Sequence, residues 1–139
     1  MSAENDILES AARSPVARLA TVGASGEIDL VPITFAFLDD TTIVTAVDHK
    51  PKRTPRLQRL ENIRMNPSVT LLVDHYDDDW SKLWWARLRG LAFVVSHGPR
   101  FDGAIAQLVA KYPQHYASQP PQGPVIAIDI TEVRTWRAS

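Results

Sequence analysis

The stretch VARLATVGASGEIDLVPITFAFLDDTTIVTAV, residues 16–47, decides the fold. VARLATVG (16–23) reads as a strand and ASGE (24–27) as a turn. In IDLVPITFAF (28–37), Val31, Ile33, Phe35 and Phe37 fall on alternate positions, the period-two pattern of a strand with one buried face. LDD (38–40) then turns the chain into a third strand, TTIVTAV (41–47). Strands joined by connections too short for crossover helices predict an antiparallel meander. Pro32 removes a backbone donor, which suits a sheet edge, a bulge or a place where something else approaches.

Working outward, SVTLLVDH (68–75), WWARLRGLAFVV (84–95) and VIAIDITEVRTWR (125–137) read as three more strands. Gly90, in the middle of the second, marks a bend or bulge of the kind a barrel needs. Three helices are expected. One covers 4–13, with Ile7, Leu8, Ala11 and Ala12 on one side and Pro15 as its stop. A second starts at Thr54-Pro55, a capping hydroxyl followed by proline, and ends at about Met65 before Asn66-Pro67. The third opens at Pro99 and carries Phe101, Ile105, Leu108, Val109 and Tyr112 at helical spacing. Six strands in short antiparallel order with few helices predict a mainly β (α+β) protein, a small barrel forming a single domain over residues 1–139.

The totals exclude several functions. The chain has no cysteine, which removes disulfides, thiolate metal sites and cysteine nucleophiles. Its net charge of -1 argues against a general nucleic-acid binder, which carries a strongly basic domain. The N-terminal MSAENDILESAARS is acidic and lacks the apolar run of a signal peptide, and no run approaches a membrane span, so a cytoplasmic protein with no membrane partner is expected.

Motifs of side-chain catalysis are missing. His49, His75, His97 and His115 form no HxH or HExxH pair, and the sequence contains no GxSxG, P-loop or GxGxxG. DHYDDDW (74–80) fails the spacing of an EF-hand and reads as a solvated hairpin tip, so no metal site is expected. His75, at a strand end, reads as a hydrogen-bonded structural residue. Trp84 and Trp85 face opposite sides of a strand, which puts at least one in the core or an interface; the sharper alternative is a ring bordering a planar ligand.

One feature stands out against the near-neutral background. DHKPKRTPRLQRLENIRMNP (48–67) holds six of the chain's fifteen lysines and arginines against two acids. On a helical wheel Leu57, Leu60 and Ile63 form the apolar face, with Arg56 and Arg64 inside its arc and Arg59 at its edge. Gln58, Glu61 and Asn62 occupy the far side. Guanidinium groups beside an apolar stripe need an anionic partner or must snorkel. Lys50, Lys52 and Arg53 precede the helix start, whose free N–H groups favour an anion. A strand ending in Thr45, a basic turn and a helix N-terminus together describe a phosphate cradle. A single-stranded nucleic-acid site would instead spread exposed aromatics over one sheet face.

In sequence order, VPITFAF, TTIVTAVDHKPKRTPRLQRLENIRMNPSVTLLVDH and LWWARLRGLAFV resemble the pyridoxamine-phosphate-oxidase-like split β-barrel superfamily. Within it the similarity is greatest to the actinobacterial branch of flavin/deazaflavin oxidoreductases that depend on coenzyme F420. The resemblance spans residues 5–137 and implies a six-stranded antiparallel split β-barrel with short flanking helices. It also implies a homodimer with the cofactor in a groove between subunits. By this resemblance Val31, Pro32, Ile33 and Thr34 lie along the deazaflavin ring, and Thr45, Ala46 and Val47 meet the ribityl chain and phosphate. Lys52, Arg53 and Arg59 bind phosphate or the polyglutamate tail, with Lys50 and Arg56 as second contacts. Trp84 and Trp85 stand where relatives carry tyrosine-type residues near the ring. The implied reaction is hydride transfer from reduced F420 to an electron-poor small organic substrate. FMN is the alternative cofactor, and a non-catalytic cofactor- or haem-binding protein is the alternative role on the same barrel. An enzyme of this kind leaves the hard chemistry to its cofactor, which accounts for the missing catalytic motifs.

Overall fold

In a computed structural model the described residues are 3–47 and 58–139. They form one antiparallel sheet of seven strands. These are β1 (Ala17–Val22), β2 (Ile28–Ile33), β3 (Ala36–Asp39), β4 (Thr42–Ala46), β5 (Ser68–His75), β6 (Trp84–Val95) and β7 (Val125–Arg137). Four helices flank the sheet: α1 (Ala3–Arg13), α2 (Gln58–Met65), α3 (Pro99–Lys111) and the one-turn α4 (Pro113–Tyr116). No described helix is long and apolar enough to cross a membrane.

The three downstream strands lie where their alternation predicts them, but the opening stretch folds differently. Residues 28–37 are two strands, not one, because the ladder breaks at Thr34-Phe35. The sheet order is β2-β1-β5-β6-β7-β4-β3. The expected three-strand meander is therefore two hairpins, β1–β2 and β3–β4, whose outer strands are the opposite edges of the sheet. Residues 33 and 36 are three Cα steps apart, a span of at most about 11 Å. The sheet must curl until its two edges meet at this link. No ladder joins β2 to β3, so in place of the expected six-stranded barrel the described residues form a seven-stranded sheet whose edge strands are connected through residues 34 and 35. Pro32 lies on edge strand β2, where a missing N–H costs least.

Two hydrophobic clusters fill the two faces. The larger joins Ile7 and Ala11 of α1, Leu60 and Ile63 of α2, and Leu19, Ile43, Val69, Leu71, Leu88, Ile126 and Ile128 of the strands. The smaller packs Ala104 and Leu108 of α3 and Tyr116 of α4 on Ala36, Val44, Ala46, Val125 and Ala127. β4 is buried at every position, because Ile43 faces one cluster and Val44 the other. Its sequence, Thr-Ile-Val-Thr-Ala, accordingly carries no charged residue. At Gly90 the β6–β7 register shifts: Arg89 pairs with Glu132 and Gly90 with Ile130, so β7 carries the extra residue, Thr131. A Cβ at Gly90 would run into the Asp129 carbonyl and the Ile128 side chain.

Helix α2 corrects the wheel. Asn62, assigned to the far side, is buried at 1% exposure. Its Nδ2 donates to Thr21 Oγ1 at 2.9 Å and to Asp29 Oδ2 at 2.7 Å, and its Oδ1 accepts from Gln58 Nε2 at 2.8 Å. Arg64, assigned beside the apolar face, is exposed and pairs with Glu61 at 3.7 Å. A buried amide with partners on β1 and β2 rotates the helix away from the orientation its leucines alone suggest. The expected helix start at Thr54-Pro55 lies outside the described residues.

Candidate functional site

A pocket of about 180 Å³ opens between the end of edge strand β2, the end of β4 and helix α2, lined by Val16, Pro32, Ile33, Thr34, Thr45, Ala46 and Arg59. Each element delivers its residues for a local reason. Pro32 to Thr34 are the end of an edge strand and the start of the unladdered link. Thr45 and Ala46 end β4, and Val16 precedes β1, whose Ala17 pairs with Ile33. Arg59 comes from the first turn of α2, which Asn62 fastens to the β1–β2 hairpin.

The pocket's polar groups have different roles. Thr45 Oγ1 donates to the Thr34 carbonyl at 2.6 Å, so it fixes the wall. Thr34 Oγ1 lies 3.4 Å from the Tyr116 hydroxyl. Among the described lining residues Arg59 alone is charged, and none is a histidine, carboxylate, lysine or tyrosine. The site offers a guanidinium for an anion, an apolar wall of Pro32 and Ile33, and a small residue, Ala46, that permits close approach.

Six of the residues singled out in the sequence therefore share this pocket: Pro32, Ile33, Thr34, Thr45, Ala46 and Arg59. Val31 and Val47 do not line it. Val31 packs against the larger core, and Val47 is buried within it and donates its N–H to the Pro124 carbonyl at 3.2 Å. Trp84 and Trp85 lie elsewhere on β6. Trp84 packs on the core and stacks on His75 with ring centroids 6.0 Å apart, while the Arg87 guanidinium lies 5.7 Å from the Trp85 ring. Lys50, Lys52, Arg53 and Arg56 fall outside the described residues. Val16 escaped the sequence reading, as did Lys111, Tyr112 and Tyr116 behind the wall. The available signal was KYPQHY (111–116), two tyrosines at a helix end whose hydroxyls need hydrogen-bond partners wherever their rings are buried.

A larger cavity, about 670 Å³, lies between α1, β3 and α3. Its rim carries Glu9, Asp39 and Asp40, which repel an anionic ligand. The smaller pocket is the better match for a phosphorylated one.

The pyridoxamine 5'-phosphate oxidase family matches residues 4–137, nearly the whole chain. The chain belongs to this family. Solved structures that resemble this family member have varied roles. An FAD-binding protein from Mesorhizobium loti superposes with a TM-score of 0.73 at 19% identity, covering 100% of this chain and 96% of its own. The haem storage protein HutZ from Vibrio cholerae gives 0.72 at 16% identity, over 99% and 95%. An F420 reductase gives 0.66 at 23% identity, over 91% and 94%. At such identities the likeness shows a common fold. No curated protein matches the chain by sequence.

Proposed function

We propose that this protein is an oxidoreductase that uses reduced coenzyme F420 to transfer a hydride to an electron-poor small organic substrate. The observation that carries the reading is the meeting of Arg59 with the β2 edge and the end of β4 in one pocket. The residues fit such a group in part. The pocket's 180 Å³ is below the ~300–1,000 Å³ of a typical ligand site, so the described residues hold only a portion of a large cofactor. The rest extends along the open edge, and we assign its cover to a second copy of the chain in a homodimer.

When bound, the deazaflavin supplies the hydride. The chain supplies position. Arg59 binds an anionic group of the cofactor, and a charge-assisted contact of this kind is stronger than a neutral one. Pro32 and Ile33 present an apolar wall to a flat ring, and Thr45 holds the Thr34 carbonyl so that the wall keeps its shape. Lys50, Lys52, Arg53 and Arg56 are assigned to the remaining phosphate and glutamate charges. Holding reactants in a productive geometry is itself a large share of catalysis.

A second reading, FMN in place of F420, is favoured by a specific observation. FMN carries a single phosphate, and the described lining residues hold a single cation. Titration of the purified protein with F420, FMN and haemin separates the readings. Saturable F420 binding with hydride transfer to an enone or quinone is the expected result. Tight FMN binding with none for F420 overturns the choice of cofactor, and haemin binding without turnover overturns the enzyme.

A further inference from the structure

The link that ties the two sheet edges is held from outside the sheet. Thr34 and Phe35 belong to no strand, so their backbone groups need other partners. Tyr112, at the end of α3, provides one hydroxyl for several of them. Its oxygen accepts the Phe35 N–H at 3.0 Å, and it lies 2.9 Å from the Pro15 carbonyl and 3.0 Å from the Phe35 carbonyl, to one of which it donates. Lys111 Nζ donates to the Phe35 carbonyl at 2.8 Å and lies 3.7 Å from the centre of the Phe35 ring. Tyr116, one turn on, reaches Thr34 Oγ1.

The positions of these contacts suggest more than backbone satisfaction. Pro15 precedes Val16, and Phe35 follows Thr34; Val16 and Thr34 both line the pocket. The Phe35 carbonyl already accepts from Lys111, so the hydroxyl donates to the Pro15 carbonyl and joins the neighbours of two separate lining residues. The ammonium adds a bond and a cation–π contact to one of them. Phe35 is fully buried, so this part of the wall has little freedom beyond what the clamp allows.

We infer that Lys111 and Tyr112 are positioning residues that set the spacing of the Val16 and Thr34 walls, and through it the fit of the cofactor. This rests on the reading of the pocket as a cofactor site. It assigns to helix α3 a part in binding, although α3 contributes no lining residue.

The test compares wild type with Tyr112→Phe and Lys111→Met in two measurements. Amide hydrogen exchange should rise about tenfold or more at residues 16–17 and 34–35 in Tyr112→Phe, with Ile126 to Ile128 of the core unchanged. Affinity for whichever of F420 and FMN the wild type binds should fall about tenfold in Tyr112→Phe and less in Lys111→Met, with thermal stability nearly retained. Faster exchange throughout the core would make Tyr112 a residue of the whole fold and overturn the inference. Unchanged exchange at residues 16–17, or unchanged affinity in both variants, would overturn it as well. If wild type binds neither cofactor, the proposed function fails, while the exchange pattern still decides whether the clamp sets the two walls.

Discussion

Replacing Asn62 with alanine should cost this fold about 3 kcal/mol, and the estimate follows bond by bond. The Asn62 amide donates to the Asp29 carboxylate at 2.7 Å, and hydrogen bonds to a charged group contribute about 1.5–3 kcal/mol. It donates to Thr21 Oγ1 at 2.9 Å, a neutral bond between buried groups that adds about 1 kcal/mol. The bond from Gln58 is partly exposed and adds less. The carboxylate can only accept, which fixes the amide orientation. Removal also leaves the Thr21 hydroxyl, at 1% exposure, without this donor. Helix α2 has eight residues and is too short to persist by itself, so its seat on the β1–β2 hairpin decides whether it forms. Urea unfolding followed by circular dichroism is the assay. With m near 2 kcal/mol/M, within the range for small proteins, the midpoint should fall by roughly 1.5 M. A double-mutant cycle with Asp29→Ala should show coupling, since the two groups share a bond. A loss below about 1 kcal/mol at unchanged m, or strict additivity in the cycle, would refute the claim that this amide anchors the helix. Arg59 stands on the same helix, so the variant should also bind cofactor less tightly.

Arg59→Ala should weaken cofactor binding by about 1–3 kcal/mol in a fluorescence titration. Unchanged affinity would remove the pocket's one described cation from the mechanism. Gly90→Ala should destabilise by about 2–4 kcal/mol in urea, because its Cβ would collide with the Asp129 carbonyl and Ile128 across the bulge. A neutral result would mean that β6 and β7 separate easily there. Burial pushes the Lys111 ammonium down to about 8. The unfolded chain then holds a proton that the folded chain has released, over the range from about pH 8 to the ordinary lysine value near ~10.4. Stability from this group therefore rises with pH through that window. Wild type should gain on Lys111→Met between pH 7.5 and 9.5. The comparison stops there because burial raises the Tyr112 phenol, which acts in the opposite direction at higher pH. A stability difference that is flat across the range would show that Lys111 titrates normally.

How much was legible in the sequence differs between elements and site. β5, β6 and β7 could be read to the residue, because alternation along a strand is a local property and turn residues bound each run. The split at Thr34-Phe35 could not. Phe35 and Phe37 continue the alternation of Ile33, and only the need of the two strands to lie on opposite edges breaks the ladder between them. The wheel of α2 failed for a similar reason. Hydrophobicity placed Asn62 outside, whereas Thr21 and Asp29 on neighbouring strands supply the partners that make an amide acceptable inside.

The sequence by itself determined the strand segments outside the Thr34-Phe35 break, the irregularity at Gly90 and the family. For Pro32 it left a sheet edge, a bulge or a close approach open, and the strand order decided for the edge. Tertiary structure decided which residues share a pocket. Pro32 to Thr34, Thr45 to Ala46 and Arg59 converge because the link after β2 runs beside β4, where Thr45 bonds the Thr34 carbonyl, and Asn62 seats α2 on the β1–β2 hairpin. The clamp from Lys111 and Tyr112 was likewise invisible along the chain. Its partners lie 76, 77 and 97 residues away, and a hydrogen bond at that separation exists only once the fold has brought its ends together.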